Sequence, residues 1–136
     1  MKKTKVIISD IDGVLMDGPW WDDIEDFYRN MNDWYPIDWT VYMLKCFYKL
    51  GYKIIFLTAR DEKVRLRTTQ QLQELFPFNI EMYMRPRGDL RESHVVKEEF
   101  LMELMEKYDI LFAMDDETPN CEMFKKHGIT VLQVTL

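Results

Sequence analysis

The feature that most constrains this chain is a rhythm. Five short apolar runs, at residues 5–9, 53–57, 80–84, 110–114 and 130–134, alternate with segments whose apolar residues recur at helical spacing. Runs of this length, bounded by turn or charge signals, fit buried strands. Helices are predicted over 37–50, 62–76, 93–108 and 118–127, with Gly51 and Gly128 as stops after the first and last. Strands separated by helices pair through crossovers, which builds a mostly parallel sheet covered on both faces. The expected fold is α/β, a single Rossmann-like doubly wound domain over residues 1–136 with about five strands. A length of 136 residues at 47% hydrophobic content suits one such core.

In sheets of this kind ligands bind at the carboxyl ends of the strands. The polar residues that follow the apolar runs are Asp10, Thr58, Arg85 and Asp115. The first run leads into Asp10-Ile11-Asp12-Gly13, two carboxylates two residues apart before a glycine that permits a sharp turn. Such a pair can divide labour, one staying ionised while the other handles protons. An acidic turn is the plain alternative for the bare tetrapeptide. The fourth run ends in Asp115-Asp116, which brings a second acidic pair to the same sheet edge. Acids converging without a nearby histidine or cysteine suit a hard cation such as magnesium. Thr58-Ala59-Arg60 offers a hydroxyl, backbone amides and a guanidinium for an anion where a helix is expected to begin. Lys97, early on a predicted helix, reads by itself as a solvated lysine.

Composition narrows the class. With 24 acidic against 18 basic residues the net charge is -6, so no overall field draws the protein to nucleic acid and any such contact must be local. Cys46 and Cys121 form no CxxC pair, which gives no support to a disulfide framework or a zinc site and fits a reducing compartment. The apolar stretch after the amino-terminal lysines is too short for a signal-peptide core, and no run approaches 18 apolar residues. A soluble cytoplasmic protein without membrane contact is expected.

Taken in order, DxDG, the strand-end Thr58, the helical Lys97 and Asp115-Asp116 resemble the four motifs of the haloacid dehalogenase (HAD) superfamily of phosphatases. The second half is most similar to the 3′-phosphatase domain of bacteriophage polynucleotide kinase/phosphatase, through Arg87-Gly88-Asp89-Leu90-Arg91, Val95-Val96-Lys97-Glu98-Glu99 and Met114-Asp115-Asp116-Glu117-Thr118. The resemblance implies a HAD-like fold with Mg2+ as cofactor. Asp10 would attack phosphorus to form an aspartyl-phosphate, and Asp12 would serve as general acid and then base. Thr58, Ala59 and Lys97 would hold the phosphoryl group, and Arg60 and Arg87 would contact substrate phosphate. The metal would sit among Asp10, Asp12 (through its backbone carbonyl), Asp115 and Asp116. Val14 stands where many relatives carry Thr, and no Walker A sequence is present, so a free-standing phosphatase without an obligate protein partner is expected.

The segment 16–36 carries Trp20, Trp21, Phe27, Tyr28, Trp34 and Tyr35 among acids and reads as a small lid with one short helix. The gaps between motifs leave no room for a large cap domain, so the site should admit a phosphorylated nucleic-acid end or a nucleotide. The aromatics are expected to form a satellite core rather than stack on bases. Lys63, Arg65 and Arg67 read as a solvated helix face, whereas Arg85, Arg87 and Arg91 are better placed to frame the pocket. His94, His127, Met102 and Met105 read as surface or packing residues, and both cysteines as structural. The leading expectation is a polynucleotide 3′-phosphatase. The alternatives are a nucleotidase or broad small-phosphoester phosphatase, and a catalytically silent module that binds a nucleic-acid end.

Overall fold

The computed structural model describes residues 2–136. Its elements are β1 (Thr4–Ser9), β2 (Met16–Asp17), α1 (Ile24–Asn30), a 3-10 turn (Met31–Asp33), β3 (Tyr35–Pro36), α2 (Asp38–Lys49) and β4 (Lys53–Asp61). A second 3-10 turn (Glu62–Val64), α3 (Arg65–Leu75), β5 (Glu81–Arg85), α4 (Ser93–Lys107), β6 (Tyr108–Asp115), α5 (Thr118–Lys126) and β7 (Val131–Gln133) follow. The main sheet runs β5-β4-β1-β6-β7 with every neighbouring pair parallel, the α/β arrangement expected from the alternating pattern.

Alternation along β1 explains the two helical layers. Val6 and Ile8 point into a cluster with Leu101, Leu104 and Phe124 of α4 and α5. Ile7, between them, joins Leu44 of α2 and Leu72 of α3 on the opposite face. A strand buried on both faces must be apolar at every position, which is why these runs lack the polar alternation of a half-exposed strand. Burying each such side chain contributes about 1.5–3 kcal/mol, and the central strands hold the sheet together on that account.

Two elements differ from the sequence expectation. β4 continues to Asp61 rather than stopping at residue 57, with a register shift against β5 between Thr58 and Asp61. Thr58 and Arg60 therefore sit on extended chain, not at a helix start. The helix begins only at Arg65, after a 3-10 turn capped by Asp61, whose carboxylate accepts from the Lys63 amide at 2.8 Å. The lid segment is also more ordered than one short helix: β2 and β3 form an antiparallel pair around α1. Asp23 caps α1 by accepting from the Glu25 amide, which satisfies an otherwise unpaired first-turn donor. Among the described residues no helix is long and apolar enough to cross a membrane.

Candidate active site

Two adjacent central strands deliver the acids. β1 ends at Ser9, and the Asp10 amide still donates to the Met114 carbonyl of β6 at 3.0 Å, so Asp10 and Asp115 leave the sheet side by side. Beyond Asp10 the amides of Val14, Leu15 and Met16 all turn back onto the Ile11 carbonyl. The turn needs Gly13 at φ 79°, and a Cβ there would lie 2.2 Å from Asp116 Oδ2. Glycine is thus required twice, for its backbone conformation and for the approach of Asp116.

Lys97 reaches these acids from the second turn of α4. Its Nζ lies 2.7 Å from Asp115 Oδ2 and 3.1 Å from Asp10 Oδ1, and the side chain is only 1% exposed. Far from being solvated, it is one of the most deeply buried side chains of the protein. Burial works against its charge, but the Asp10 and Asp115 carboxylates outweigh that cost and hold the ammonium above its ordinary range. Asp115 is fixed further: Oδ1 accepts from the Glu117 amide at 3.0 Å, and Asn120 Nδ2 lies within 3.1 and 3.2 Å of its two oxygens.

Asp10, Asp115 and Asp116 each offer a carboxylate oxygen within 4.8 Å of the others. Burial first, then the neighbouring acids, raises the Asp10 pKa well above the usual carboxylate range against the pull of Lys97. Burial and Asp115 push Asp116 up to about 6. Three acids facing one ammonium leave an excess of negative charge in oxygen-only surroundings, which fits a divalent hard cation. The Asp12 carboxylate is outside this group.

Asp12 faces Arg60 instead. Arg60 Nη2 donates to Asp12 Oδ1 at 2.7 Å and Nε to Oδ2 at 3.0 Å, while Nη1 donates to Gln71 Oε1 at 2.6 Å and Thr68 Oγ1 at 3.1 Å. Every guanidinium nitrogen is occupied, and the group lies 5.7 Å from the centre of the Phe27 ring. Arg60, which the resemblance implies contacts substrate phosphate, is only 2% exposed because the extended β4 turns it toward α3, and it still lines the pocket beside Asp12. Thr58 is buried beside it and accepts from the Arg60 amide at 3.1 Å.

A pocket of about 240 Å³ opens above Asp10, Asp12, Ala59, Arg60 and Lys97, walled by Trp20, Trp21, Ile24 and Phe27. A second groove of about 670 Å³ shares Ile24, Tyr28, Ala59, Ser93 and Glu117 with it. Of the arginines expected to frame the site, Arg85 donates to the carbonyls of Ala59, Asp89 and Arg91, and Arg91 pairs with Asp89 and Glu99. Arg87 lines the groove, exposed and outside these pairings. A hollow of about 680 Å³ beside Lys2, Lys3 and Lys5 lies at the opposite ends of the strands and contains none of these residues.

Asn120, Thr68 and Gln71 escaped sequence reasoning. For two of them the signal was a polar residue inside a helix's buried stripe, Asn120 beside Cys121, Met123 and Phe124, and Thr68 one turn from Leu72, while the half-buried Gln71 gave none. Buried polar side chains require partners, and here the partners are the site's own carboxylate and guanidinium.

Known proteins share this fold. A chain of the Pnkp1/Rnl/Hen1 RNA repair complex superposes with a TM-score of 0.83 at 26% identity, covering 97% of this chain and 42% of that one. A second structure of the Pnkp1/Rnl/Hen1 complex gives 0.84 at 25% identity, over 97% and 45%. The present chain thus spans less than half the length of either. The class C acid phosphatase from Bacillus anthracis, solved with tungstate bound, shares the fold at a TM-score of 0.66 and 13% identity, over 98% of this chain and 68% of that one. The family model of the polynucleotide kinase PNKP phosphatase domain matches residues 4–136. With nearly its whole length so accounted for, the chain belongs to that family of HAD phosphatase domains.

Proposed function

We propose that this protein is a magnesium-dependent polynucleotide 3′-phosphatase that works through an aspartyl-phosphate on Asp10. The observation that carries the reading is the split of the two DxDG carboxylates. Asp10 belongs to the acid group with Asp115 and Asp116, beside Lys97 Nζ at 3.1 Å, whereas Asp12 is held apart by Arg60. This split supports reading Asp10 as the attacking group and Asp12 as the proton carrier.

In this mechanism an Asp10 oxygen bonds to phosphorus while the bond from phosphorus to the leaving 3′-oxygen breaks. Asp12 gives its proton to that oxygen. Water then attacks the phosphorus of the acyl phosphate as Asp12 takes a proton from it, releasing phosphate and returning Asp10 to its carboxylate and Asp12 to its acid form. Lys97, with the Thr58 hydroxyl and the amides near Ala59, offsets the charge on the phosphoryl oxygens. Asp10, Asp115, Asp116 and the Asp12 carbonyl would hold magnesium, which would neutralise the acids and polarise the phosphoryl group. The Pnkp1/Rnl/Hen1 relatives stand in complexes, so a protein partner belongs to the proposal in place of the free-standing enzyme expected from the sequence.

The test is a panel assay with magnesium, using 3′- and 5′-phosphorylated oligonucleotides, 3′- and 5′-mononucleotides and an aryl phosphate. The 3′-phosphorylated oligonucleotide should have the highest kcat/KM. Equal efficiency on mononucleotides would favour a nucleotidase, and no turnover of any substrate would leave a binding module.

A further inference from the structure

Trp20 is held and yet open. Its ring packs edge-on against Trp34 at 4.8 Å and 89°, and lies nearly parallel to Phe27 at 6.3 Å and 13°, while remaining 62% exposed. In place of the satellite core expected of this segment, Phe27, Tyr28, Met31 and Trp34, all buried, join the main core beside Ile7, Leu44 and Leu72. Trp20, Trp21 and Ile24 were left outside, and all three stand in the wall of the pocket that contains Asp10, Asp12 and Lys97. Apolar surface kept in water at the wall of a concave site is where a ligand with an apolar face gains most by binding.

The charges around this lip say what covers it. Asp22, Asp23 and Glu25 are adjacent in sequence, and Glu117 lines the same pocket. Their field repels phosphate but is indifferent to a neutral planar ring. The adjoining groove shares Glu117 and adds Glu25, Asp61 and Asp89, but it also brings four basic side chains, Lys63, Arg85, Arg87 and Arg91, and so is the side on which a flanking phosphate meets cations. There Lys63 is engaged with Glu25, Arg85 with backbone carbonyls and Arg91 with Asp89 and Glu99. Among the described residues Arg87, exposed on that groove, makes no side-chain hydrogen bond or ion pair, with Asp61 and Glu62 near enough to feel its charge.

We propose that Trp20, flanked by Trp21, is a stacking platform for the base of the terminal nucleotide, and that Arg87 takes the phosphate on that nucleotide's 5′ side. The proposal rests on the polynucleotide reading and deepens it. The site recognises a nucleoside-bearing end by the face of its last base, with no demand on base identity, since every base offers a π face.

The experiment uses the full chain with Asp10→Asn, which binds without turnover. Tryptophan fluorescence and equilibrium affinity are recorded for a 3′-phosphorylated trinucleotide and for the same trinucleotide with an abasic terminal residue. The intact substrate should quench fluorescence and bind about tenfold more tightly than the abasic one. Adding Trp20→Ala should abolish that difference, so that both bind equally weakly. Arg87→Ala should weaken the trinucleotide and lower its salt slope by roughly 0.7, one phosphate contact, without affecting a 3′-mononucleotide. Equal affinity for intact and abasic substrates overturns the platform, and this comparison needs no change to the lip and so no assumption about the folding of Trp20→Ala. An equal loss on both substrates in Trp20→Ala overturns it as well. Failure of the underlying reading looks different: the unaltered enzyme would show no preference for 3′-phosphorylated oligonucleotides in the panel assay.

Discussion

Arg60 and Asp12, 48 positions apart, close a two-bond ion pair at 2.7 and 3.0 Å, with the arginine side chain 1% and the aspartate side chain 15% exposed. The pair is part of a longer chain. Arg60 Nη1 donates to Gln71 Oε1 at 2.6 Å, and Gln71 Nε2 donates to the Met31 carbonyl at 2.8 Å. The lid segment and the candidate proton donor are thus tied through one glutamine on α3.

Gln71→Leu should loosen Arg60 and with it the aim of Asp12. Proton donation by a positioned acid contributes about 10²–10⁴ in rate when the leaving oxygen is basic. The substitution is expected to lower kcat about tenfold on a nucleoside 3′-phosphate and to change it little on p-nitrophenyl phosphate, whose phenolate departs without a proton. Steady-state kinetics on both substrates decides the matter, since equal losses would mean that Gln71 serves the fold alone.

Asp10→Asn keeps the size of the side chain but removes the attacking oxygen's charge. Turnover should fall to background while circular dichroism and the cooperative melt are retained. Appreciable residual activity in a folded preparation would exclude the covalent route.

Lys97→Met leaves Asp10 and Asp115 buried and facing each other. Removing one partner of a buried ion pair costs about 3–5 kcal/mol, and denaturant unfolding in magnesium-free buffer should show a loss of that order. Magnesium supplies charge at the same acids and stabilises the state that binds it. The deficit should therefore shrink with added magnesium, and the ion should raise the melting temperature of Lys97→Met more than that of the unaltered protein. A deficit independent of magnesium would place the ion elsewhere.

Burial, then the nearby Asp115, pushes the Cys121 thiol up to about 11, and the residue is fully buried at 0% exposure. The thiolate is the reactive form, so folded protein at pH 8 should consume one equivalent of a disulfide reagent, at Cys46, and two after unfolding. Two fast equivalents in the native state would show that α5 opens beneath Asp115.

The strands, their order along the chain and the placing of Asp10, Asp12 and Asp115 at strand ends were legible in the residues alone, because a buried strand writes its burial into consecutive apolar positions and the acids follow at once. The lysine was visible only through its motif company, since nothing local distinguishes a buried Lys97 from a solvated one. The tertiary structure decided the rest. β4 runs on to Asp61 because β5 continues to pair beyond Thr58 after a register shift, a contact between distant segments that no local pattern encodes. That extension turns Arg60 onto Asp12, a pairing that the substrate contact implied by the resemblance did not foresee. Likewise the segment around α1 buries only part of its aromatic set, Phe27, Tyr28 and Trp34, in the main core. Which rings stayed outside, Trp20 and Trp21 rather than Trp34, depends on which ring meets the main core, and that is fixed only when the whole chain has packed.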